Sequence, residues 1–222
     1  DLLLITGSTV PDLNARASAA ATEAEAFGHR RIFFLACDSV DTSVDGVTQN
    51  VEGYYAAAAI VGMIAQQSPQ QPFTNLPIAG IGQVYGTDDT FSETQLDTMA
   101  DGGRYVLVNF GGAVAARHQR STDGTSIEKR ELSITKAIDW LAKGLRATNR
   151  VFIGRSVITT GFLDQLAMSN EGFLSYAVQL GVVRRAKLDS VLQDTDERDK
   201  VLIDVTVSPQ YPCNKIRITV VS

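Results

Sequence analysis

Apolar residues fall in short blocks along this 222-residue chain, and their spacing changes from block to block. Leu2, Leu3, Leu4 and Ile5 read as a short buried strand ending at Thr6, with Gly7 and Ser8 as its turn. Leu13, Ala17, Ala20, Ala24 and Phe27 follow at helical spacing, with Pro11 at the helix start and Gly28 at its end. Residues 31–36 read as a second buried strand. This β-α-β order predicts a parallel pair with a right-handed crossover. Polar residues from 37 to 50 read as a loop, and a second helix is expected over about 51–67. Its alanines 56 to 59 and Gly62 would let another element approach closely. Residues 66–72 are a polar break, and 80–85 are extended.

Ser92 and Gln95, three apart, form a capping box that starts a short helix ending near Gly102. Residues 104–110 are a strand, Gly111-Gly112 a hairpin turn, and 113–120 the returning strand. Ile127, Ile134, Ile138, Leu141 and Leu145 step by 7, 4, 3 and 4, the most regular helical face in the chain. Residues 150–155 read as a short strand or a link. A helix over 162–180 ends at Gly181, with Asn170-Glu171-Gly172 as the place where it would break. Three strand candidates close the chain, near 183–192, 200–207 and 215–221, with a polar tip at 193–199. The whole reads as an α/β fold, strictly an α+β mixture: a βαβ-containing domain with a mixed sheet, a hairpin at about 104–120, two long helices and a C-terminal antiparallel strand meander. Residues 1–125 and 126–222 are expected to be two parts of one compact unit.

Composition narrows the function classes. Hydrophobic residues are 44% and charged residues 20%, enough apolar content for a sizeable core. The chain begins with Asp1 rather than Met, which suggests a fragment or a processed product. Net charge is −5 without a Lys/Arg block, so nucleic acid is not an expected partner. Cys37 and Cys213 form no CxxC, and a disulfide framework needs more cysteines, so a reducing compartment is expected. The longest apolar run, residues 54–65, falls short of the roughly 20 residues that span a bilayer, so no membrane insertion is expected.

Candidate chemistry is sparse. Gly80, Gly82 and Gly86 give GxGxxxG rather than GxGxxG and read as turn residues. Thr6 and Ser8 precede a helix N-terminus, but every β-α connection does this, and no Lys completes a P-loop. Asp38 and Ser39 end a presumed parallel strand, where open α/β enzymes often place active residues. Asp41 and Asp45 nearby lack EF-hand spacing and read as a solvated acidic loop. His29 and His118, the two histidines, have no nucleophile motif beside them. Cys37 reads as core. No catalytic, metal or cofactor site is read. Arg184, Arg185 and Lys187 cluster after the last helix, and Arg117 and Arg120 flank His118; each group is either solvated or in contact with a partner. In the last run Ile216, Ile218 and Val220 alternate with Arg217, Thr219 and Val221. Such a strand lies either inside its own sheet or against another chain.

The order of these pieces resembles the contractile-tail sheath proteins of bacteriophages and related injection machines. "LLLITGSTVPDLNARASAAATEAEAFGHRRIFFLACDS" is similar to the sheath α/β unit, with Asp38 at its closing position. "GYYAAAAIVGMIAQQSPQQPFTNLPIAGI" resembles the family's Ala-rich helix and proline-bearing segment. "FSETQLDTMADGGRYVLVNFGGAVAARHQRST" resembles its short helix and Arg-bearing hairpin, here with Arg117, and "KVLIDVTVSPQYPCNKIRITVV" its strand-Pro-strand end. The Trp-Gly and Arg-Thr pairs of the common sheath motif are absent; Trp140 falls on a helix. By this resemblance the sequence is expected to be a fragment that lacks the N-terminal portion and linker arm of full-length sheaths.

The resemblance implies a structural protein rather than an enzyme. It would be a homo-oligomer of sheath subunits in hexameric rings around a tail tube protein, joined to a baseplate, within the virion and assembled in the host cytoplasm. Contraction would drive the tube through the host envelope. Terminal arms add strands to a neighbour's sheet in such sheaths, which makes Ile216, Arg217, Ile218, Thr219 and Val220 subunit-interface candidates. Arg184, Arg185 and Lys187 are candidates for contact with an acidic tube or neighbour. Two other readings stay open: an α/β enzyme or ligand-binding domain with Asp38, Ser39 and His118 near a cleft, and another phage tail or baseplate structural protein.

Overall fold

Asp12 sets the start of helix α1, Leu13–Glu25: its carboxylate accepts the N–H groups of Asn14 and Ala15, at 3.0 and 3.3 Å. The structure, a computed structural model, describes residues 12–214 and 216–219. The strand expected at 2–6 and the Thr6 and Ser8 pair lie outside them. Ala17, Ala20, Ala21 and Ala24 form the buried face of α1. Strand β1, Phe34–Ala36, follows.

Residues 37–50 are not a loop. Strands β2, Ser39–Val44, and β3, Val47–Glu52, form an antiparallel hairpin. Asp45 and Gly46 turn it, both at positive φ (52° and 79°), the conformation that a two-residue hairpin turn requires and Asp-Gly supplies. Helix α2, Gly53–Gln66, therefore starts two residues later than expected. Strand β4, Ile81–Tyr85, pairs with β2, and Gly80 and Gly86 take positive φ at either end of it. Helix α3, Glu93–Asp101, carries the capping box: the Ser92 N–H donates to Gln95 Oε1 at 2.9 Å.

Strand β5, Arg104–Phe110, spans the expected residues and pairs parallel with β1 and antiparallel with β6, Ala113–Ala116. Its residues 105–108 are continuously apolar because both faces are covered there. Val106 and Val108 pack with α1 and α3 through Ala17, Ala20, Leu96 and Met99. Tyr105 and Leu107 pack on the other side with Ala56 and Ile60 of α2 and Val40 and Val84 of the second sheet. Gly102 lets α3 close on α1, since a Cβ there would lie 2.4 Å from the Ala21 Cβ. The returning strand stops at Ala116, short of residue 120.

The regular face at 127–145 is two helices, α4 (Ile127–Arg130) and α5 (Leu132–Arg150). Between them Glu131 is extended (φ −88°, ψ 123°) because residues 119–121 pair with this segment. Ser121 N–H donates to Arg130 O at 2.7 Å and Leu132 N–H to Gln119 O at 3.1 Å. Residues 151–155 make turns rather than a strand. Helix α6, Thr160–Gln179, runs unbroken through Asn170-Glu171-Gly172. It ends in a Schellman motif around Gly181 (φ 71°), with Val182 N–H donating to Ala177 O at 3.1 Å. Strands β7, Val183–Gln193, and β8, Val201–Pro209, form a long antiparallel ribbon. The third strand of the expected meander does not form among the described residues 216–219, which carry no regular secondary structure and meet no strand edge.

The chain divides into two compact units. The first runs to Thr135 and includes the described residues after Tyr211; the second is Lys136–Tyr211. The first is built around β5. In the second, Ala186, Leu188, Val205 and Val207 of the ribbon cover Leu141 of α5 and Leu174 and Ala177 of α6.

Candidate subunit-contact surfaces

The ribbon separates apolar and polar residues by strand alternation. Ala186, Leu188, Val205 and Val207 point to α5 and α6. Arg185, Lys187, Asp204 and Thr206 face water. Lys187 Nζ lies 3.0 Å from Asp189, which also accepts the Thr206 hydroxyl at 2.5 Å. The Thr206 bond and then Lys187 hold the Asp189 carboxyl below the usual range. Arg184 sits at a bulge, between Val183 and Arg185, and all three basic candidates (Arg184, Arg185, Lys187) are exposed on β7. Each strand has one partner only, so among the described residues both outer edges of the ribbon leave N–H and C=O groups unpaired.

The C-terminal segment is exposed on all sides. Ile216 and Ile218 are 79% and 82% exposed, and Arg217 and Thr219 are exposed as well. Val220, the fifth interface candidate, lies outside the described residues. An Ile-x-Ile alternation needs a face to bury, and nothing described in this chain covers it.

Arg117 and Arg120 are bound within the chain. Glu93, Asp97 and Asp101 lie four apart along α3 and form one acidic stripe. Arg117 pairs with Glu93 and with Asp97 (3.0 Å), and Arg120 with Asp101 at 2.8 Å. His118 Nε2 is 3.7 Å from Asp97, and burial, then Arg120 and Arg117, keep its imidazole below the usual pKa range. Neither expected state, solvated or held by a partner, describes these two arginines: both are paired within the chain. Another buried cation, Arg104, had no signal beyond its strand position. It donates to Ala20 O at 2.9 Å and to Glu23, and its guanidinium lies 3.7 Å from the Phe34 ring centre.

The Asp38 end has a structural explanation. Its carboxyl packs against Gly86, where a Cβ would lie 2.3 Å from Cγ, and burial raises its pKa while Arg16 opposes the rise. Cys37 is wedged against Gly53, and burial, helped by Asp38, pushes its thiol up to about 11, far from a nucleophilic thiolate at neutral pH. Asp41 accepts from Asn50 and from the Tyr85 hydroxyl, both at 2.9 Å, within the β2–β4 sheet and not in an acidic loop. His29 accepts the Arg31 N–H at 3.2 Å and exchanges two bonds with Thr122. Two open cavities, of about 650 and 540 Å3, both lie in the second unit and not at Asp38.

No protein-family model matches the chain, and no curated protein does. Solved structures do. A chain in the cryo-EM structure of the anti-feeding prophage baseplate has a TM-score of 0.67 at 13% identity, covering 96% of this chain and 66% of that one. The helical sheath of the anti-feeding prophage, in its contracted state, gives 0.67 at 12% identity over 83% of this chain and 54% of that one. The fold is that of contractile sheath proteins. The crystal structure of the sheath tail protein from Listeria innocua has it too, at a TM-score of 0.61 and 15% identity over 92% of this chain and 52% of that one. At such identities the likeness is one of fold. The chain spans between 52 and 66% of the length of these sheath-fold chains. Among the described residues no helix is long and apolar enough to cross a membrane.

Proposed function

We propose that this chain is a structural subunit of a contractile tail sheath. It polymerises with copies of itself around a tail tube and contracts to drive the tube through a host envelope. The observation that carries the reading is the sheath-protein fold over 83 to 96% of the chain. The ribbon and the C-terminal segment support the mechanism. One offers open strand edges, and the other an alternating strand sequence with every described side chain in water.

Laying residues 216–220 of one copy on the ribbon edge of another would satisfy both. Main-chain hydrogen bonds supply the affinity and side-chain alternation sets the register. A joint made of backbone pairing survives rotation of the bodies it links, as contraction between two packings requires. Ile216, Arg217, Ile218, Thr219 and Val220 form the joint in this account, and Arg184, Arg185 and Lys187 touch an acidic tube or neighbour. The partners are other subunits in six-membered rings, a tube protein and a baseplate, in the virion tail and, during assembly, in the host cytoplasm. No reaction, metal or cofactor enters the account.

A second reading, another tail or baseplate structural protein, draws on the match to a chain of the anti-feeding prophage baseplate. Self-assembly separates the two. The protein as its gene encodes it, expressed alone, is expected to build hollow tubes visible by electron microscopy. Deleting residues 214–222 is expected to leave the circular dichroism unchanged and abolish the tubes. Tubes from the deletion variant would remove the joint, and a wild-type protein that never assembles would remove the sheath reading.

A further inference from the structure

The second unit holds a concentration of positive charge that linear spacing hides. Lys143, Arg146 and Arg150 lie three and four residues apart on one face of α5, and Arg155 follows in the turns beyond it. All four are exposed, and among the described residues none holds an ion pair. Residues 140–163 contain no Asp or Glu. The two open cavities meet here: both are lined by Arg146 and Arg150, and Val151 and Ile153 add exposed apolar surface beside them. A groove with four unpaired cations and an apolar flank fits an acidic protein surface.

The charge balance says which one. The stretch supplies four of the 20 Lys and Arg and none of the 25 Asp and Glu. The rest of the chain has 16 cations against 25 acids, a charge of −9. A basic patch on an acidic body is complementary to other copies of that body.

We propose that this groove docks the hairpin tip between β7 and β8 of a second copy. The tip, residues 194–199, carries Asp194, Asp196, Glu197 and Asp199 against Arg198 alone. It is built in advance. Asp194 accepts the N–H groups of Asp196 and Glu197, at 2.9 and 3.3 Å, and pairs with Lys200 at 3.0 Å. That leaves Asp196 and Asp199 exposed and without an ion pair among the described residues. A preformed loop loses little freedom on docking. Because groove and tip are different patches, the contact is head-to-tail, and it builds a ring or an open array according to the rotation it imposes between copies. The contact deepens the sheath reading and rests on it.

Two charge-reversed variants test it: Arg146→Glu with Arg150→Glu, and Asp196→Lys with Asp199→Lys. These side chains are exposed and unpaired, so circular dichroism should match wild type. Sedimentation velocity is run at low salt and at roughly 0.5 M salt, where screening is nearly complete beyond contact range. Wild type associates more strongly at low salt than at high salt. Each variant alone associates about tenfold more weakly. An equimolar mixture of the two regains association, since each acidic tip again finds a basic groove and each reversed tip a reversed groove. Unchanged association of either variant, no regain in the mixture, or a wild type that binds anionic vesicles but not itself overturns the contact. Regain in the mixture without tubes from wild type would keep the contact and remove the sheath reading. Normal tubes from each variant alone would do the reverse.

Discussion

Replacing Asn170 with Asp changes one atom at the centre of the α5–α6 contact. Asn170 is fully buried, and its amide exchanges two hydrogen bonds with Asn149, at 2.8 and 2.9 Å, while its Nδ2 also donates to Leu166 O at 2.7 Å. Asn170→Asp turns the double donor into an oxygen facing the Asn149 and Leu166 oxygens. Two donated bonds become repulsions at a fully buried side chain, at a cost of about 3–5 kcal/mol at neutral pH. A 3 kcal/mol penalty corresponds to a carboxyl raised about two units, to near pH 6. For an acid with a raised folded pKa the penalty is full above that pH and fades as pH falls toward the unfolded value near 4. The stability gap between variant and wild type should therefore narrow between about pH 6.5 and pH 4. Urea unfolding followed by the fluorescence of Trp140 reads this contact directly, because the single tryptophan stacks on Phe173 across the same helices at 5.6 Å. Equal stability at pH 7, or a gap that does not narrow on acidification, would refute the reasoning.

Three further outcomes follow from other contacts. Gly144→Val is expected to destabilise by about 1–3 kcal/mol in thermal melts despite valine's better helix propensity, because a Cβ at 144 would lie 2.0 Å from the Phe173 ring. Arg117 is the main cause that lowers the Asp97 carboxyl, so the pair's contribution is present at neutral pH and lost as pH falls through the lowered value; Arg117→Ala should flatten that part of the stability–pH profile, by about 0.5 kcal/mol given the exposure of Asp97. Reversing Arg184, Arg185 and Lys187 to Glu together should leave melting unchanged and reduce co-assembly, measured as the pelleted fraction; unchanged pelleting would count against that contact.

How much was legible in advance differs element by element. The run at 104–110 declared itself because a strand covered on both faces cannot show alternation, only a block. The capping box at Ser92 and the Gly181 helix end were readable because local hydrogen bonds make them. The β2–β3 hairpin went unread, although Asp45-Gly46 between Val44 and Val47 was its signal, because Thr42 and Gln49 interrupt the apolar face made by Val40, Val44, Val47 and Val51. The break at Glu131 was hidden by the step of seven from Ile127 to Ile134, and only pairing with residues 119–121 reveals it. The same kind of reason hid the basic groove: cations at 143, 146, 150 and 155 look scattered until a helix and a turn gather them. The fate of residues 216–219 was unreadable for a different reason: their alternation marks a strand, but which edge such a strand joins is not written in its own residues.

Cryo-electron microscopy of the assembled protein counts strands, and so asks most directly whether the β7–β8 edge is where copies join. The account predicts a helical tube in which that ribbon has gained at least one strand from residues 214–222 of a neighbouring copy. A tube whose ribbons stay two-stranded, with the C-terminal segment folded into its own subunit, would contradict it.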